Sequence, residues 1–249
     1  MNKFKYISGS GNSFYIGDEL NINSDLEVIA YVADSTHEID GVISLTIDID
    51  KKNTLNMEYF NSDGSKAELC VNGVRCAAKY AYDRKYFSDT KIFVNTPTGI
   101  IETEIEDNDV VSSLIRYPKF PDNLTYHEIL GYKGVIVDLG NPHFVIISEN
   151  IEAIDIEEIG TKFQDIELFK NGTNVEFCNI IDKNNVIARV YERGVGETSA
   201  CGSGAAAIFY SLFIKDLVSE NISINYPGGS LKLKIKNDKI YISGEIRYL

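Results

Sequence analysis

The stretch ETSACGSGAAAIFY, residues 197–210, sets Cys201 among residues with almost no side chain and then runs into an apolar helix. Gly202 and Ser203 leave the amides of that helix start uncovered, with Cys201 presented at its edge. A second stretch has the same grammar. CVNGVRCAAKYAYD from Cys70 and CGSGAAAIFYSLFIKD from Cys201 both read Cys, any residue, a small polar residue, Gly, and then an apolar helix. Each follows a strand-like segment that ends in a short polar loop, EYFNSDGSKAEL (58–69) and ARVYERGVGETSA (188–200). A strand, loop, Cys, helix unit therefore occurs twice, 131 positions apart, about half the chain. The economical reading is a duplicated α+β half, each wrapping a sheet around one central helix.

Outward from these two helices the chain reads as short strands. Runs such as GVISLTIDI, LNMEYFN, KIFVNTP, HFVIIS, NVEFCNII, VIARVYER and ISINYP are β-rich, several alternate apolar and polar residues, and turn residues bound them. Helical patterns are fewer: 25–34, 72–83, 202–215 and a weaker one at 155–164. The proline-bearing segment YPKFPDNLT (117–125) is the expected linker, which gives an N-terminal half 1–116 around the Cys70 helix and a C-terminal half 117–249 around the Cys201 helix.

Composition bounds the function. A chain of 249 residues with 44% hydrophobic content can bury one large core or two smaller ones. A formal charge of -13 without a basic cluster argues against nucleic acid or an anionic membrane, and leaves a small soluble molecule as the expected partner. MNKFKYISGSGNSF has no apolar leader, and no apolar run approaches the roughly 20 residues of a membrane span, so a cytoplasmic protein is expected. Cys70, Cys76, Cys178 and Cys201 read as thiols rather than a disulfide framework. Cys70 and Cys76 are six apart and His37, His127 and His143 are scattered, which is not the spacing of structural zinc. CVNGVR places Arg75 five residues after Cys70, one short of a phosphatase-type loop.

A Cys at a helix start has a chemical use. The first turn carries unpaired N–H groups and the positive end of the macrodipole, which push a thiol toward thiolate and can also hold a carboxylate. Two such starts acting together suit inversion at the α-carbon of an amino acid without a cofactor. That reaction needs a base, an acid on the opposite face, and donors aimed at the carboxylate as negative charge grows into it. A thiol and a thiolate can exchange these roles near neutral pH. Cys76, inside its helix, and Cys178, in a strand, read instead as small buried hydrophobes.

At these residues the sequence resembles the diaminopimelate epimerases. ERGVGETSACGSGAAA (192–207) matches the family's second cysteine motif and NSDGSKAELCVNGVRCAA (61–78) the first, and GSGNSF (9–14), GNPHFV (140–145), GTNVEF (172–177) and NYPGGSL (225–231) follow in the family's order. The resemblance implies two pseudo-symmetric α/β domains, each a mostly antiparallel sheet wrapped around a central helix, with the active site in the cleft between them. It implies epimerisation of LL-2,6-diaminopimelate to the meso isomer, in lysine and peptidoglycan precursor synthesis, with Cys70 and Cys201 as acid and base and with no cofactor and no metal. The amides of Val71 with Asn72, and of Gly202 with Ser203, would bind the reacting carboxylate. Asn12, Asn61, Asn141, Asn174, Glu192 and Arg193 carry over as substrate residues. Arg193 would pair with the distal carboxylate and Glu192 with the distal ammonium. His143 reads as a structural residue of the GNPH turn. A homodimer is admitted as an assembly.

Several positions depart from the family pattern. Val71 stands where Gly usually follows the first cysteine, and it is expected to add bulk at the rim of the site. Ser13 replaces a common Asp, NSDGS replaces NADGS, and no Gly-rich run precedes Asp40 and Gly41. Two rival readings remain: a cofactor-independent racemase of another amino acid on the same fold, and a non-catalytic relative that binds a small molecule. Retention of Arg193 and the asparagines opposes the first, and retention of both cysteines opposes the second. A thiol redox protein would need Cys70 and Cys201 within bonding distance.

Overall fold

A computed structural model describes residues 4–18, 25–33, 38–67, 69–107, 110–115, 124–236 and 239–249. The chain divides into two units, Met1–Leu114 with Ser243–Leu249, and Ile115–Ile242. The expected halves met at 116 and 117. Those two positions, and the linker segment up to residue 123, lie outside the described residues.

In the first unit β1 (Phe4–Gly9) and β2 (Asn12–Asp18) form a hairpin through Ser10 and Gly11, at φ 51° and 93°. Positive φ at both turn residues is what the twist of a two-residue hairpin asks for. After α1 (Asp25–Ala33), β3 (Gly41–Ile47) lies parallel to β2, with Gly41 opposite Phe14, and β4 (Thr54–Asn61) turns back antiparallel to β3. The short β5 (Lys66–Ala67) leads to α2 (Val71–Asp83). Beyond it β6 (Lys91–Thr96) runs parallel to β4, followed by antiparallel β7 (Gly99–Glu106) and β8 (Val110–Ile115).

The second unit repeats this grammar. β9 (Tyr126–Ile129), β10 (Tyr132–Asp138) and β11 (Pro142–Ile147) are antiparallel neighbours. A helix, α3 (Ile156–Gln164), again separates β11 from its parallel partner β12 (Asn174–Ile180). β13 (Asn185–Glu192) returns antiparallel, the short β14 (Gly196–Thr198) leads to α4 (Gly202–Ile214), and β15 (Asn221–Tyr226) lies parallel to β13 before antiparallel β16 (Gly229–Lys236). The last strand, β17 (Lys239–Tyr248), ends in the first unit, where Tyr248 pairs with Ile7 of β1. Among the described residues the strand pairs of each unit are mostly antiparallel with two parallel pairs, and each unit has two α-helices.

The two central helices are buried on every side. α2 is buried from Val71 to Ala81, and α4 at Gly202 and from Gly204 to Leu212. A helix that is apolar all round, as α4 is, has to be enclosed. Val74, Ala77, Ala78 and Ala81 of α2 pack among Phe14, Ile16, Ile43, Leu55 and Ile92 of the first sheet. The other two helices cover opposite faces. Val28 of α1 packs on Val42 and Phe60, and Ile156 and Phe163 of α3 on Phe144, Val175 and Phe177. Phe144, Phe163 and Phe177 are fully buried, worth roughly 1.5–3 kcal/mol each relative to exposure. Among the described residues no helix is long and apolar enough to cross a membrane.

Strands β2, β5, β8, β9 and β14 were not among the runs read from the sequence. β5 and β14 are too short for any period to show, and β2 opens inside the Gly and Ser cluster of its own hairpin.

Candidate active site

Cys70 and Cys201 occupy the same place in their helices. Cys70 is the N-cap of α2 at φ −132° and ψ 107°, and its Sγ accepts the N–H of Gly73 at 3.3 Å. Cys201 is the N-cap of α4 at φ −128° and ψ 118°, and its Sγ accepts the N–H of Gly204 at 3.4 Å. An N-cap side chain normally offers oxygen, and sulfur does this well only as a thiolate, so the capping geometry favours charge on either sulfur. The amides of Val71 and Asn72, and of Gly202 and Ser203, fall in first turns where no intrahelical acceptor exists. Neither Val71 nor Gly202 has positive φ, so a β-branched residue keeps the same backbone donor. Val71 is only 5% exposed, and its bulk is packed into the unit.

What surrounds the two sulfurs differs. Near Cys70 the Arg75 guanidinium is fully buried, and its Nη2 donates to Ser10 Oγ at 3.0 Å and to Asn72 Oδ1. Asn72 Nδ2 donates to Asn12 Oδ1 at 2.7 Å, and the Asn12 side chain in turn bonds the Asp40 carboxylate. Asp40 also accepts the Ser13 N–H at 2.7 Å, so the backbone of Ser13 serves the site whatever its side chain. Asn61 stands apart: its Nδ2 donates to Ser65 Oγ at 3.0 Å within the NSDGS turn.

Cys201 is surrounded by carboxyls. Its thiol donates to Glu192 Oε2 at 3.3 Å and lies 3.4 Å from Ser203 Oγ, while Thr198 donates to Glu192 Oε1 at 2.5 Å. Burial first, then the charge of Glu192, pushes the Cys201 thiol well above its ordinary range. Asn141 joins this group through Nδ2, 3.5 Å from Ser203 Oγ. Asn174 and Arg193 form a neighbouring pair, with Asn174 Oδ1 accepting the Arg193 N–H at 3.0 Å and Asn174 Nδ2 donating to the Pro142 carbonyl at 2.9 Å. The Arg193 side chain is exposed and reaches the Asn171 carbonyl at 3.4 Å.

His143 supports Asn141 rather than standing in the open. It is fully buried, with Nε2 3.2 Å from Asn141 Oδ1 and Nδ1 2.9 Å from Glu176 Oε1. Burial lowers the imidazole to about 4, which leaves it neutral near pH 7, and raises the Glu176 carboxyl well above the usual carboxylate range, which favours its protonated form. With Nε2–H given to Asn141, the Nδ1 lone pair is left for a protonated Glu176 to donate to. Gly204 makes room for that carboxyl: a Cβ there would lie 2.3 Å from Glu176 Oε1. Cys76 and Cys178 are both fully buried, and burial raises both thiols. Among the described residues no group of three or more His, Cys, Asp or Glu is arranged to hold a metal ion.

Ser10, Thr198 and Glu176 carry no mark of a site in the sequence, and Arg75 is visible there only as the arginine that misses the phosphatase-type spacing. The visible trace of Glu176 is one acidic residue in the otherwise uncharged strand NVEFCNI, and that of Arg75 one cation in an otherwise uncharged helix start.

A family profile described as diaminopimelate epimerase matches residues 4–116 and 135–249. The chain belongs to the diaminopimelate epimerase family. Membership makes it an isomerase, in line with the six sequence blocks. The diaminopimelate epimerase of Brachyspira hyodysenteriae is 35% identical, the alignment covering 98% of this chain and 96% of that protein. That of Methanococcus maripaludis is 34% identical, covering 97% and 95%. The fold of the family recurs in more distant solved structures. A PhzF-family phenazine biosynthesis protein from Bacillus anthracis has a TM-score of 0.73 at 13% identity, over 99% of this chain and 96% of that one. A probable proline racemase from Agrobacterium radiobacter has a TM-score of 0.72 at 11% identity, over 99% and 90%. At such identities the likeness concerns the fold alone.

Proposed function

We propose that this family member epimerises LL-2,6-diaminopimelate to meso-diaminopimelate without a cofactor, with Cys70 and Cys201 as the two acid/base groups. The observation that carries the reading is the matched placement of both sulfurs as N-caps, each accepting the third amide of its helix. Inversion takes a proton from one face of the α-carbon and returns one to the other. One cysteine, as thiolate, takes the α-proton, and the other, as thiol, gives its proton to the opposite face; the reverse reaction exchanges the roles. The thiol of Cys201, already donating to Glu192, suits the second role. The amides of Val71, Asn72, Gly202 and Ser203 receive the reacting carboxylate as charge grows into it. The exposed Arg193 side chain suits the distal carboxylate, and Glu192 the distal ammonium. Working thiols call for a reducing compartment, which supports the cytoplasm. The product serves lysine and peptidoglycan precursor synthesis.

The test is incubation of reduced protein with LL-diaminopimelate in deuterated water, following epimerisation together with deuterium at the α-carbon. Metal-chelated, pyridoxal-free protein is expected to turn over and to incorporate label. Turnover of another amino acid but not of this one would overturn the substrate and leave a racemase on the same fold. No turnover of any amino acid would leave a binding protein.

A further inference from the structure

We propose that Arg75 is a positioning residue for Cys70: its buried guanidinium fixes the Asn72 and Asn12 side chains and supplies the positive charge beside which Cys70 rests as the thiolate. The inference rests on reading Cys70 as an acid/base group.

Arg75 is fully enclosed, and among the described residues no carboxylate lies within ion-pair distance of it. Its Nη2 serves two neutral acceptors, while Nε and Nη1, both buried, have no hydrogen-bond partner. Burial lowers the group to about 10, so it stays charged at neutral pH. A buried cation left half-satisfied is costly and needs a reason. The fold does not supply one, because α4 builds the same helix in the same place with Ala206, five residues after its cysteine, where α2 has Arg75.

The groups facing the guanidinium decide what the charge is for. Ser10, from the β1–β2 turn, and Asn72, from α2, are neutral. Asp40 is reached only through Asn72 and Asn12 in series. The two groups whose charge would act on Arg75 directly are the thiols of Cys76 and Cys70. Cys76 is fully buried and its thiol is pushed far up by that burial, so it carries no charge. Cys70 is only partly buried, at the head of the helix. It remains as the sulfur that can both hold a negative charge and meet a substrate. The same guanidinium takes the Oδ1 of Asn72, which turns the Asn72 Nδ2 toward Asn12, so one buried cation orients two side chains as well.

The experiment compares the wild-type chain with Arg75→Gln and Arg75→Lys, reading the rate of iodoacetamide alkylation at each cysteine by peptide mass spectrometry across pH, with no substrate present. In Arg75→Gln the alkylation midpoint of Cys70 is expected to rise by about one pH unit, slowing the reaction about tenfold at pH values below the wild-type midpoint, while Cys201 is unchanged. Arg75→Lys is expected to recover most of the rate. Unchanged Cys70 alkylation in a folded Arg75→Gln, checked by circular dichroism, overturns the proposal. Equal changes at Cys70 and Cys201 also overturn it, because they report general loosening. Should Arg75→Gln fail to fold, Arg75→Lys decides alone, read below the wild-type midpoint: a Cys70 rate near that of the wild type supports the charge, and a tenfold loss refutes it. Since alkylation is read without substrate, the outcome is independent of whether diaminopimelate is turned over.

Discussion

The thiol of Cys201 donates to Oε2 of Glu192 across 3.3 Å, and Oε1 of the same carboxylate accepts from Thr198. Glu192 is thereby held as an acceptor against a sulfur that keeps its proton. Glu192→Gln removes the charge that opposes ionisation of Cys201. Alkylation of Cys201 is expected to speed up, while kcat/KM for diaminopimelate falls by about 10²-fold, the size of a lost charged contact to the distal ammonium. Unchanged alkylation of Cys201 in this variant would show that the carboxylate does not govern the thiol.

Cys70→Ala and Cys201→Ala should each reduce epimerisation by about 10³-fold or more, while Cys76→Ala, which removes a buried and neutral thiol, should leave it near wild type. A coupled assay of meso-diaminopimelate formation checks this. Substantial activity in either of the first two would end the two-thiol mechanism.

The third amide of each helix comes from a glycine, and the two glycines should respond differently to alanine. A Cβ on Gly204 would meet the Glu176 carboxyl at 2.3 Å, whereas one on Gly73 would meet the flexible ends of Ile43 and Met57 at 3.1 and 3.2 Å. Gly204→Ala should cost about 1–3 kcal/mol in urea unfolding, and Gly73→Ala less than about 1 kcal/mol, since alanine's better helix propensity offsets the crowding. Equal costs would mean that the carboxyl moves aside freely.

His143 and Glu176 give stability opposite slopes with pH. The imidazole titrates at about 4 in the fold against 6.5 outside it, so between these values the unfolded chain binds a proton that the folded chain refuses, and stability rises with pH. Glu176 keeps its proton in the fold above 4.5, where the unfolded chain has lost it, so its contribution falls as pH climbs toward its raised value. Glu176→Gln removes the falling part. Between about pH 4.5 and 6.5 the variant should gain on wild type by up to about 1.4 kcal/mol per pH unit in urea unfolding. Parallel curves would mean that Glu176 is ionised in the fold.

Much of the site was legible because helix starts are local. Cys70 and Cys201, their glycines and their apolar helices sit in consecutive residues, and the helix ends fell within a residue or so of those expected. The parallel pairings of β2 with β3 and of β4 with β6 were not legible, since register between distant segments leaves no mark in either segment alone. The asparagines divided in the same way. Asn12, Asn72 and Asn141 join networks that reach a cysteine or its neighbours, whereas Asn61 holds its own turn and Asn174 ties β12 to the Arg193 backbone and the Pro142 carbonyl.

The sequence by itself determined that two cysteines would each cap a helix inside a repeated strand-rich unit, because capping and amphipathic period are written within a few neighbouring residues. Only the tertiary structure decided that the two sulfurs are unlike: a fully buried cation lies near Cys70, and two carboxyls, that of Glu176 fully buried, lie near Cys201. The reason is physical. The charge state of a thiol depends on desolvation and on groups brought up by other strands, such as Glu176 on β12 beside the start of α4, and neither can be read from the residues that flank the thiol.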